Sequence, residues 1–185
     1  MIRKTIALVV GHSAHSMGAQ NYIGEYEYQF NSRIATKVKL KLDRLKQMRV
    51  QLVVVYKVNG KLFFLEKRKF FLAIEMHFNS FGQNVHGTET FISSHARFQD
   101  LFSGPIYEFH SRMIKLLDTK DRGLRMLKSD ERGHANLLEY DGIAKHACIF
   151  EPCFQSNIPG NRKIFEDEDR YVNAIVDTLL GIGNL

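Results

Sequence analysis

Residues 6–12 read Ile-Ala-Leu-Val-Val-Gly-His, a short apolar run that ends in Gly11 and His12. Such a run is typical of a buried parallel strand, and open α/β sheets bind their ligands at the carboxyl ends of these strands. His12 is therefore expected on the rim of a sheet. The stretch sets the fold class, because later segments of the chain repeat its pattern.

Glu27 follows His12 by fifteen residues and begins a segment with helical periodicity. Its apolar residues recur every three or four positions and predict one buried helix face: Phe30, Ile34, Val38, Leu42, Leu45 and Met48. A carboxylate in the first turn is favoured by the helix dipole, and a helix that packs back on the first strand brings Glu27 towards His12. Helix capping alone also explains a glutamate there, so both roles are open.

Three later segments predict further core strands. Residues 51–56 are rich in β-branched side chains and complete a strand–helix–strand unit. Residues 70–76 end at His77, and residues 144–150 end at Glu151. A fourth segment, residues 87–93, alternates like a strand exposed on one face, and Glu89 within it is expected to face the cleft.

The connecting segments are less regular. Asn59-Gly60 between apolar runs indicates a hairpin. A helix over residues 62–68 is the alternative, and we favour it because two successive parallel strands need a crossover connection between them. A helix is expected to begin at residues 103–105 and to end at 121–123. Its buried stripe is predicted to be Ile106, Phe109, Met113, Leu116 and Leu117.

The last third of the chain is expected to combine a loop and a helix. Residues 128–142 are polar and predict a long substrate-binding loop. Residues 168–180 predict a closing helix that Gly181 and Gly183 stop.

The composition predicts one globular domain over residues 1–185, because a chain with 44% apolar residues can build an ordinary core. The formal net charge of +6 favours acidic partners, whether nucleic acid, an anionic membrane surface or an anionic cell-wall polymer. Cys148 and Cys153 are expected to be thiols. No run reaches the ~20 apolar residues of a membrane span.

The residues that end the predicted strands suggest a metal site. His12, His77 and Glu27 would supply two imidazoles and one carboxylate and leave a fourth position open, which is the ligand set of catalytic zinc. Glu151 ends a strand on the same edge, where it could act as a general base, meet solvent or serve as a fourth ligand. Glu75 shares a face with His77 and either orients it or faces solvent.

The remaining histidines are interpreted as solvent-exposed or hydrogen-bonded side chains. They are His15, His86, His95, His110, His134 and His146. Of these, His86 and His134 could touch substrate. Cys153 is expected to be a small buried hydrophobe.

Ordered motifs along nearly the whole chain resemble those of the zinc-dependent N-acetylmuramoyl-L-alanine amidases that cut peptidoglycan. The similar segments are Val9-Val10-Gly11-His12, Glu27-Tyr-Gln-Phe-Asn31-Ser-Arg-Ile34-Ala35, Ala73-Ile-Glu-Met-His77-Phe-Asn79, Gly87-Thr-Glu89, Asp121-Arg122-Gly123 and Glu151-Pro-Cys-Phe154-Gln-Ser156-Asn157. Glu27 fits the spacing of the family's glutamate ligand, and Glu25 does not. The chain departs from the family pattern at Ser13 and at Pro152-Cys153, and neither departure removes a ligand.

The resemblance implies a single α/β domain with a central twisted, mostly parallel sheet and flanking helices. It implies zinc held by His12, Glu27 and His77, Glu151 as the catalytic residue, and hydrolysis of the amide between N-acetylmuramic acid and L-alanine. We expect a monomer whose partner is peptidoglycan, with no nucleic acid partner. A zinc peptidase would use the same ligands, and a basic nucleic-acid-binding module would explain the charge alone.

The positive N-terminus precedes an apolar run, residues 6–10, that is shorter than the roughly 7 to 15 residues of a signal-peptide core. We therefore expect synthesis in the cytoplasm without a cleavable export signal. Action on the cell wall would then follow release or another export route, as for a phage lysis enzyme.

Overall fold

The architecture is a six-stranded mixed sheet with helices on its faces. The computed structural model describes residues 3–45, 49–58, 61–62, 69–82, 84–96 and 98–185. The strands are β1 Lys4–Val10, β2 Val50–Tyr56, β3 Phe70–Met76, β4 Thr88–Ile92, β5 Asp121–Met126 and β6 Ala144–Glu151. The helices are α1 Glu27–Arg44, α2 Pro105–Leu117, α3 His134–Leu138, α4 Pro159–Glu166 and α5 Glu168–Gly183.

The strand order is β2-β1-β3-β6-β4-β5. The first four of these strands are mutually parallel, and β4 pairs antiparallel with β6 while β5 runs parallel to β4. The carboxyl ends of β1, β3 and β6 therefore meet at one edge of the sheet, where the amino ends of β4 and β5 also lie. The predicted α/β class and mostly parallel sheet are confirmed.

The core has two unequal parts. The larger part packs α1, α2 and α5 against one face of the sheet, with Phe30, Ile34, Phe109 and Leu179 among its buried side chains. Burying apolar side chains of this size contributes about 1.5–3 kcal/mol each. A smaller cluster, which includes Val9, covers part of the opposite face.

Helix α1 begins at Glu27 as predicted, and its stripe is buried through Leu42. Leu45 is 51% exposed because the helix ends at Arg44, and Met48 lies outside the described residues. The helix favoured for residues 62–68 also lies almost wholly outside the described residues. Of that stretch the structure describes only Leu62, which is buried.

Strand β5 corrects the prediction that residues 121–123 merely end a helix. Helix α2 already ends at Leu117, and Asp118 takes a left-handed conformation with φ of 52° before the chain turns into β5. β5 is an edge strand whose side chains are half-buried or exposed, so it lacks the apolar run that marks a core strand. Within α2, Leu116 is exposed and does not belong to the buried stripe.

Strand β4 is buried on both faces, so the prediction of one exposed face was wrong. It is flanked by β6 and β5, and α2 packs against it. The predicted loop 128–142 contains the short helix α3, which corrects the loop assignment.

Helix α5 continues past Gly181, which was wrongly predicted to stop it, and ends at Gly183. Side chains from other elements approach both glycines closely. A Cβ at Gly183 would lie 2.6 Å from a methyl group of Val50, and one at Gly181 would lie 2.7 Å from the guanidinium carbon of Arg112.

Candidate active site

Three strand ends place the candidate residues at one edge of the sheet. His12 follows β1, His77 follows β3, and Glu151 is the last residue of β6. The N–H of His77 donates a hydrogen bond of 2.9 Å to the carbonyl of Phe150, which holds the ends of β3 and β6 in register. His77 and Glu151 are therefore adjacent across the sheet.

The carboxylate of Glu27 lies between the two imidazole rings. Its Oε2 is 3.0 Å from Nε2 of His12, and its Oε1 is 3.0 Å from Nδ1 of His77. Oε1 also accepts a hydrogen bond of 2.8 Å from the N–H of Phe78. One donor atom from each of the three side chains lies within 4.8 Å of the others, so the residues that the sequence singles out as ligands are brought together.

The start of α1 delivers Glu27 to this position. Its N–H donates to the carbonyl of Ala19 at 3.0 Å, and the amide of Asn31, one turn later, donates to the carbonyl of Met76 at 3.1 Å. The helix is thereby fixed to the end of β3. Glu25, the other acidic residue nearby, pairs instead with Arg33 at 3.0 Å between Oε2 and Nη2.

Two glycines give the ligand side chains room. A Cβ at Gly11 would lie 2.6 Å from Cε1 of His77 and 2.3 Å from the carbonyl oxygen of Met76. A Cβ at Gly18 would lie 2.7 Å from Oε2 of Glu27 and 2.7 Å from Nε2 of His12. Any larger residue at either position would displace a candidate ligand.

His12 itself has a φ of 66°, in the left-handed region that residues other than glycine rarely adopt. Backbone strain of this kind costs about 1–3 kcal/mol and is concentrated at functional sites. This backbone conformation turns the chain directly after β1, and the ring of His12 contacts Glu27.

The donor set fits zinc. Imidazole nitrogen and carboxylate oxygen are both zinc ligands, and three protein ligands with an open fourth position are typical of catalytic rather than structural sites. Glu27 is 2% exposed, so its charge is held where a cation would compensate it.

Contacts with the two histidines favour the charged form of Glu27. Burial would raise the pKa of Glu27, but hydrogen bonds from His12 and His77 outweigh it and lower that pKa to about 2. Burial likewise would lower the pKa of His77, but its hydrogen bonds to Glu27 and Glu75 raise that pKa to about 10. A cation binding to these atoms would displace protons.

Glu151 has the properties of a general base. Burial raises the pKa of its carboxyl to about 7, and the nearby charges of Glu27 and Glu89 act in the same direction while His77 opposes them. Its Oε2 is buried and has no hydrogen-bond partner among the described residues. A carboxyl whose pKa is near neutrality is suited to accept and return a proton.

The candidate ligands and Glu151 line an open cleft of about 990 Å³. Glu89, opposite Glu151 on the neighbouring strand, also lines the cleft and pairs with Arg122, and Nη1 of Arg125 lies 2.7 Å from Oε1 of Glu131. The expectation that Glu89 faces the cleft is confirmed. The cleft thus offers charged groups of both signs beside the candidate metal site.

Glu75 faces the protein interior and contacts His77, so of its two interpretations the solvent-facing one was wrong. Its side chain is fully buried, and its Oε1 lies 2.7 Å from Nε2 of His77. The carboxylate therefore contacts the ring on the side opposite Glu27.

The other histidines fit their interpretation where the structure gives them a partner. His110 is buried between Thr90 at 2.9 Å and Asp121 at 3.1 Å, and His134 is 2.7 Å from Ser94. Among the residues that the structure describes as lining the cleft, neither His86 nor His134 appears, so the expectation that they touch substrate is not supported. Both cysteines are free thiols, as predicted, and Cys153 is buried, as also predicted; Cys148 is buried as well.

Sequence reasoning missed Gly18, Lys57 and Tyr140. Gly18 lies in the loop before α1, where a glycine has many explanations. Lys57 and Tyr140 both contact Glu75, at 2.7 Å each, and are far from it in sequence. The one usable signal was the charge of Glu75 within a buried strand, because such a charge requires a partner.

A family model described as N-acetylmuramoyl-L-alanine amidase matches residues 6–180. A comparison with curated protein sequences finds no match.

None of the described helices is both long and apolar enough to cross a membrane.

Solved structures share the fold over nearly the whole chain. An N-acetylmuramoyl-L-alanine amidase from Clostridium difficile 630 is 21% identical with a TM-score of 0.71, covering 97% of this chain and 96% of that one. The catalytic domain of the amidase CwlV from Bacillus (Paenibacillus) polymyxa var. colistinus is 22% identical with a TM-score of 0.71, covering 96% and 97%. The catalytic domain of the CD27L endolysin, which targets Clostridia difficile, is 18% identical with a TM-score of 0.68, covering 97% and 98%.

Proposed function

The chain belongs to the N-acetylmuramoyl-L-alanine amidase family, and from this premise we propose that it is a zinc hydrolase that cleaves the amide between N-acetylmuramic acid and L-alanine in peptidoglycan. The observation that carries the proposal is the convergence of His12, Glu27 and His77 beside Glu151 in one cleft. This arrangement combines a three-ligand site with a carboxyl group whose Oε2 has no hydrogen-bond partner among the described residues.

Zinc would be held by Nε2 of His12, a carboxylate oxygen of Glu27 and Nδ1 of His77. When bound, zinc supplies a Lewis acid for the scissile carbonyl and lowers the pKa of water. Phe78 supports the site by donating its N–H to Glu27, which keeps the carboxylate oriented between the two rings.

Glu151 moves the proton in this proposal. It accepts a proton from the attacking water as the oxygen bonds to the lactyl carbonyl carbon, and it returns a proton to the nitrogen of L-alanine as the C–N bond breaks. The products are the free lactyl carboxyl group of N-acetylmuramic acid and a stem peptide with a free L-alanine amino group. Burial raises the pKa of this carboxyl in the metal-free protein, and the charge of a bound cation would lower it, which favours the carboxylate form that accepts the proton.

The bond that is cut can be identified from the new end groups. Purified protein is incubated with peptidoglycan, and newly formed amino termini and reducing sugar ends are measured with and without a chelator. We expect L-alanine amino termini, no new reducing ends, loss of activity with the chelator and recovery with added zinc.

Two outcomes would contradict the proposal. Amino termini other than L-alanine would indicate a peptidase that uses the same ligands. Full activity after complete removal of metal would contradict the zinc assignment while leaving the amidase assignment intact.

A further inference from the structure

Three polar side chains are buried behind His77, on the side away from the candidate metal site. Glu75 is fully buried, Tyr140 is 1% exposed and Lys57 is 6% exposed. Neither Lys57 nor Tyr140 lines the cleft among the described residues. The proposed reaction therefore gives these two residues no direct role.

The side chains of His77, Lys57 and Tyr140 all contact the carboxylate of Glu75. Its Oε1 lies 2.7 Å from Nε2 of His77 and 2.7 Å from Nζ of Lys57. Its Oε2 accepts a hydrogen bond of 2.7 Å from the hydroxyl of Tyr140. Both oxygens thus have donors, and the positive charge of Lys57 compensates the negative charge of Glu75.

Three separate parts of the chain supply this group. Glu75 is on β3, opposite Val9 of the neighbouring strand β1, and Val9 is in turn opposite Val55 of β2. Lys57 comes two residues after Val55 and so lies on the same face of the sheet. Tyr140 comes from the segment after α3 and packs in the small core cluster that includes Val9.

Stability does not explain why these charges are buried. Removing a carboxylate and an ammonium group from water costs several kcal/mol each, and apolar residues of the same volume usually serve stability as well or better. An apolar pair could not accept the hydrogen bond that Glu75 forms with Nε2 of His77. Stability alone therefore gives no reason for the buried pair, and its contact with His77 points to a role in orienting that ring.

We propose that Glu75, with Lys57 and Tyr140, positions His77 so that its Nδ1 atom can bind the metal. Glu75 accepts the Nε2 proton of the ring, which fixes the tautomer and leaves the Nδ1 lone pair facing Glu27 and the metal. Tyr140 and Lys57 hold the carboxylate in the orientation that this hydrogen bond requires. His12 differs, since it presents Nε2. The proposal rests on the proposed zinc site.

Zinc affinity tests the proposal without relying on activity. The Lys57→Met/Glu75→Leu double variant replaces the buried pair with apolar residues of similar volume and is expected to fold, because no charge is left unpaired. Tyr140→Phe removes a single hydroxyl. Affinity is measured by competition with a chromogenic chelator, after thermal melts have shown that each variant is folded.

Tyr171→Phe is the matched control. Tyr171 is as deeply buried as Tyr140, but its hydroxyl has no hydrogen-bond partner among the described residues. We expect zinc affinity to fall about 10–100-fold in the double variant, the range found when a partner of a metal-bound histidine is lost. A smaller fall is expected in Tyr140→Phe, and no change in Tyr171→Phe.

Nitrogen NMR of the histidine rings gives a readout that a general loss of packing would not move. In the zinc-loaded parent protein, we expect His77 to carry its proton on Nε2 and the metal on Nδ1. In Tyr140→Phe, the Nε2–H signal of His77 should shift, while the signals of His12 stay in place.

The outcomes separate the two proposals. No zinc binding by the parent protein would overturn both the metal site and the positioning group. Zinc binding by the parent with unchanged affinity in both variants would overturn the positioning group alone, as would metal on Nε2 of His77 or an equal loss in Tyr171→Phe.

Discussion

Gly18 lies against Glu27 so closely that an added Cβ would be 2.7 Å from Oε2 of the carboxylate. The same Cβ would meet Nε2 of His12 at the same distance. The loop before α1 therefore contributes to the candidate metal site through the absence of a side chain. This relationship can be tested by adding one methyl group.

We predict that Gly18→Ala weakens zinc binding by at least about tenfold, because the new methyl group displaces a ligand atom by a large fraction of a bond length. Gly24→Ala is the matched control. Gly24 also has a positive φ, 84° against 77° for Gly18, but nothing lies within 4 Å of an added Cβ.

Both variants should lose about 1–2 kcal/mol of stability from the left-handed backbone. Only Gly18→Ala should lose zinc affinity, as measured by chelator competition. Equal zinc affinity in the two variants would show that Gly18 does not constrain the ligands.

We predict that His77→Ala lowers the zinc content from one ion per chain to nearly none. The variant removes one of three ligands and leaves two that cannot hold the ion alone. Zinc is measured by atomic spectroscopy on dialysed protein. His95→Ala is the control, because the side chain of His95 is 60% exposed and belongs to a different cluster.

A His77→Ala variant that retained a full zinc ion would refute the ligand assignment. Glu25, the carboxylate two residues before Glu27 in the sequence, already pairs with Arg33. Glu25 would have to break that ion pair before it could serve as a substitute ligand.

The sequence predicted the elements whose side chains are buried in a regular pattern. β1, β3 and β6 are short apolar runs because both faces of the sheet are covered there, and α1 is periodic because only one of its faces is buried. Their ends carry the candidate ligands, which is why the cluster could be predicted before its geometry was known.

The remainder depends on tertiary contacts that leave little local pattern. β5 is a polar edge strand, and α3 has only five residues, so neither has a strong periodic signal. Lys57 and Tyr140 are buried only because they reach Glu75, a contact between distant parts of the chain. Gly181 was taken as a helix stop, whereas the helix continues past it and the guanidinium of Arg112, from another helix, lies against it.

We predict that Glu151→Gln loses hydrolysis by at least about 10²-fold and keeps its zinc. The substitution preserves the size of the side chain and removes only its ability to accept a proton, and general acid–base groups typically contribute about 10²–10⁴-fold. Release of L-alanine amino termini and zinc content are measured on the same preparation. Retained hydrolysis would refute the role of base, and lost zinc would make Glu151 a ligand.

The same variant tests the buried state of Glu151 in the metal-free protein. Its pKa is about 7 in the folded chain against an ordinary 4.5, so between these values the folded state binds more protons than the unfolded state. Stability contributed by this group is therefore present at low pH and is lost as pH rises towards 7. A rise in pKa from 4.5 to about 7 corresponds to a cost of up to about 3 kcal/mol above that range.

Glutamine carries no charge, so Glu151→Gln should escape this cost. With a chelator present, we predict melting temperatures close to those of the parent at pH 4 and higher by several degrees at pH 8, since about 1 kcal/mol corresponds to about 2–4 °C for a domain of this size. Groups remote from the cleft titrate alike in both proteins and cancel in the difference. Glu27, Glu89 and His77 interact with Glu151, so the difference measures Glu151 together with these interactions. A melting-temperature difference that does not change between pH 4 and pH 8 would mean that Glu151 is ionised at its ordinary pKa, and that burial in the cleft does not hold its proton.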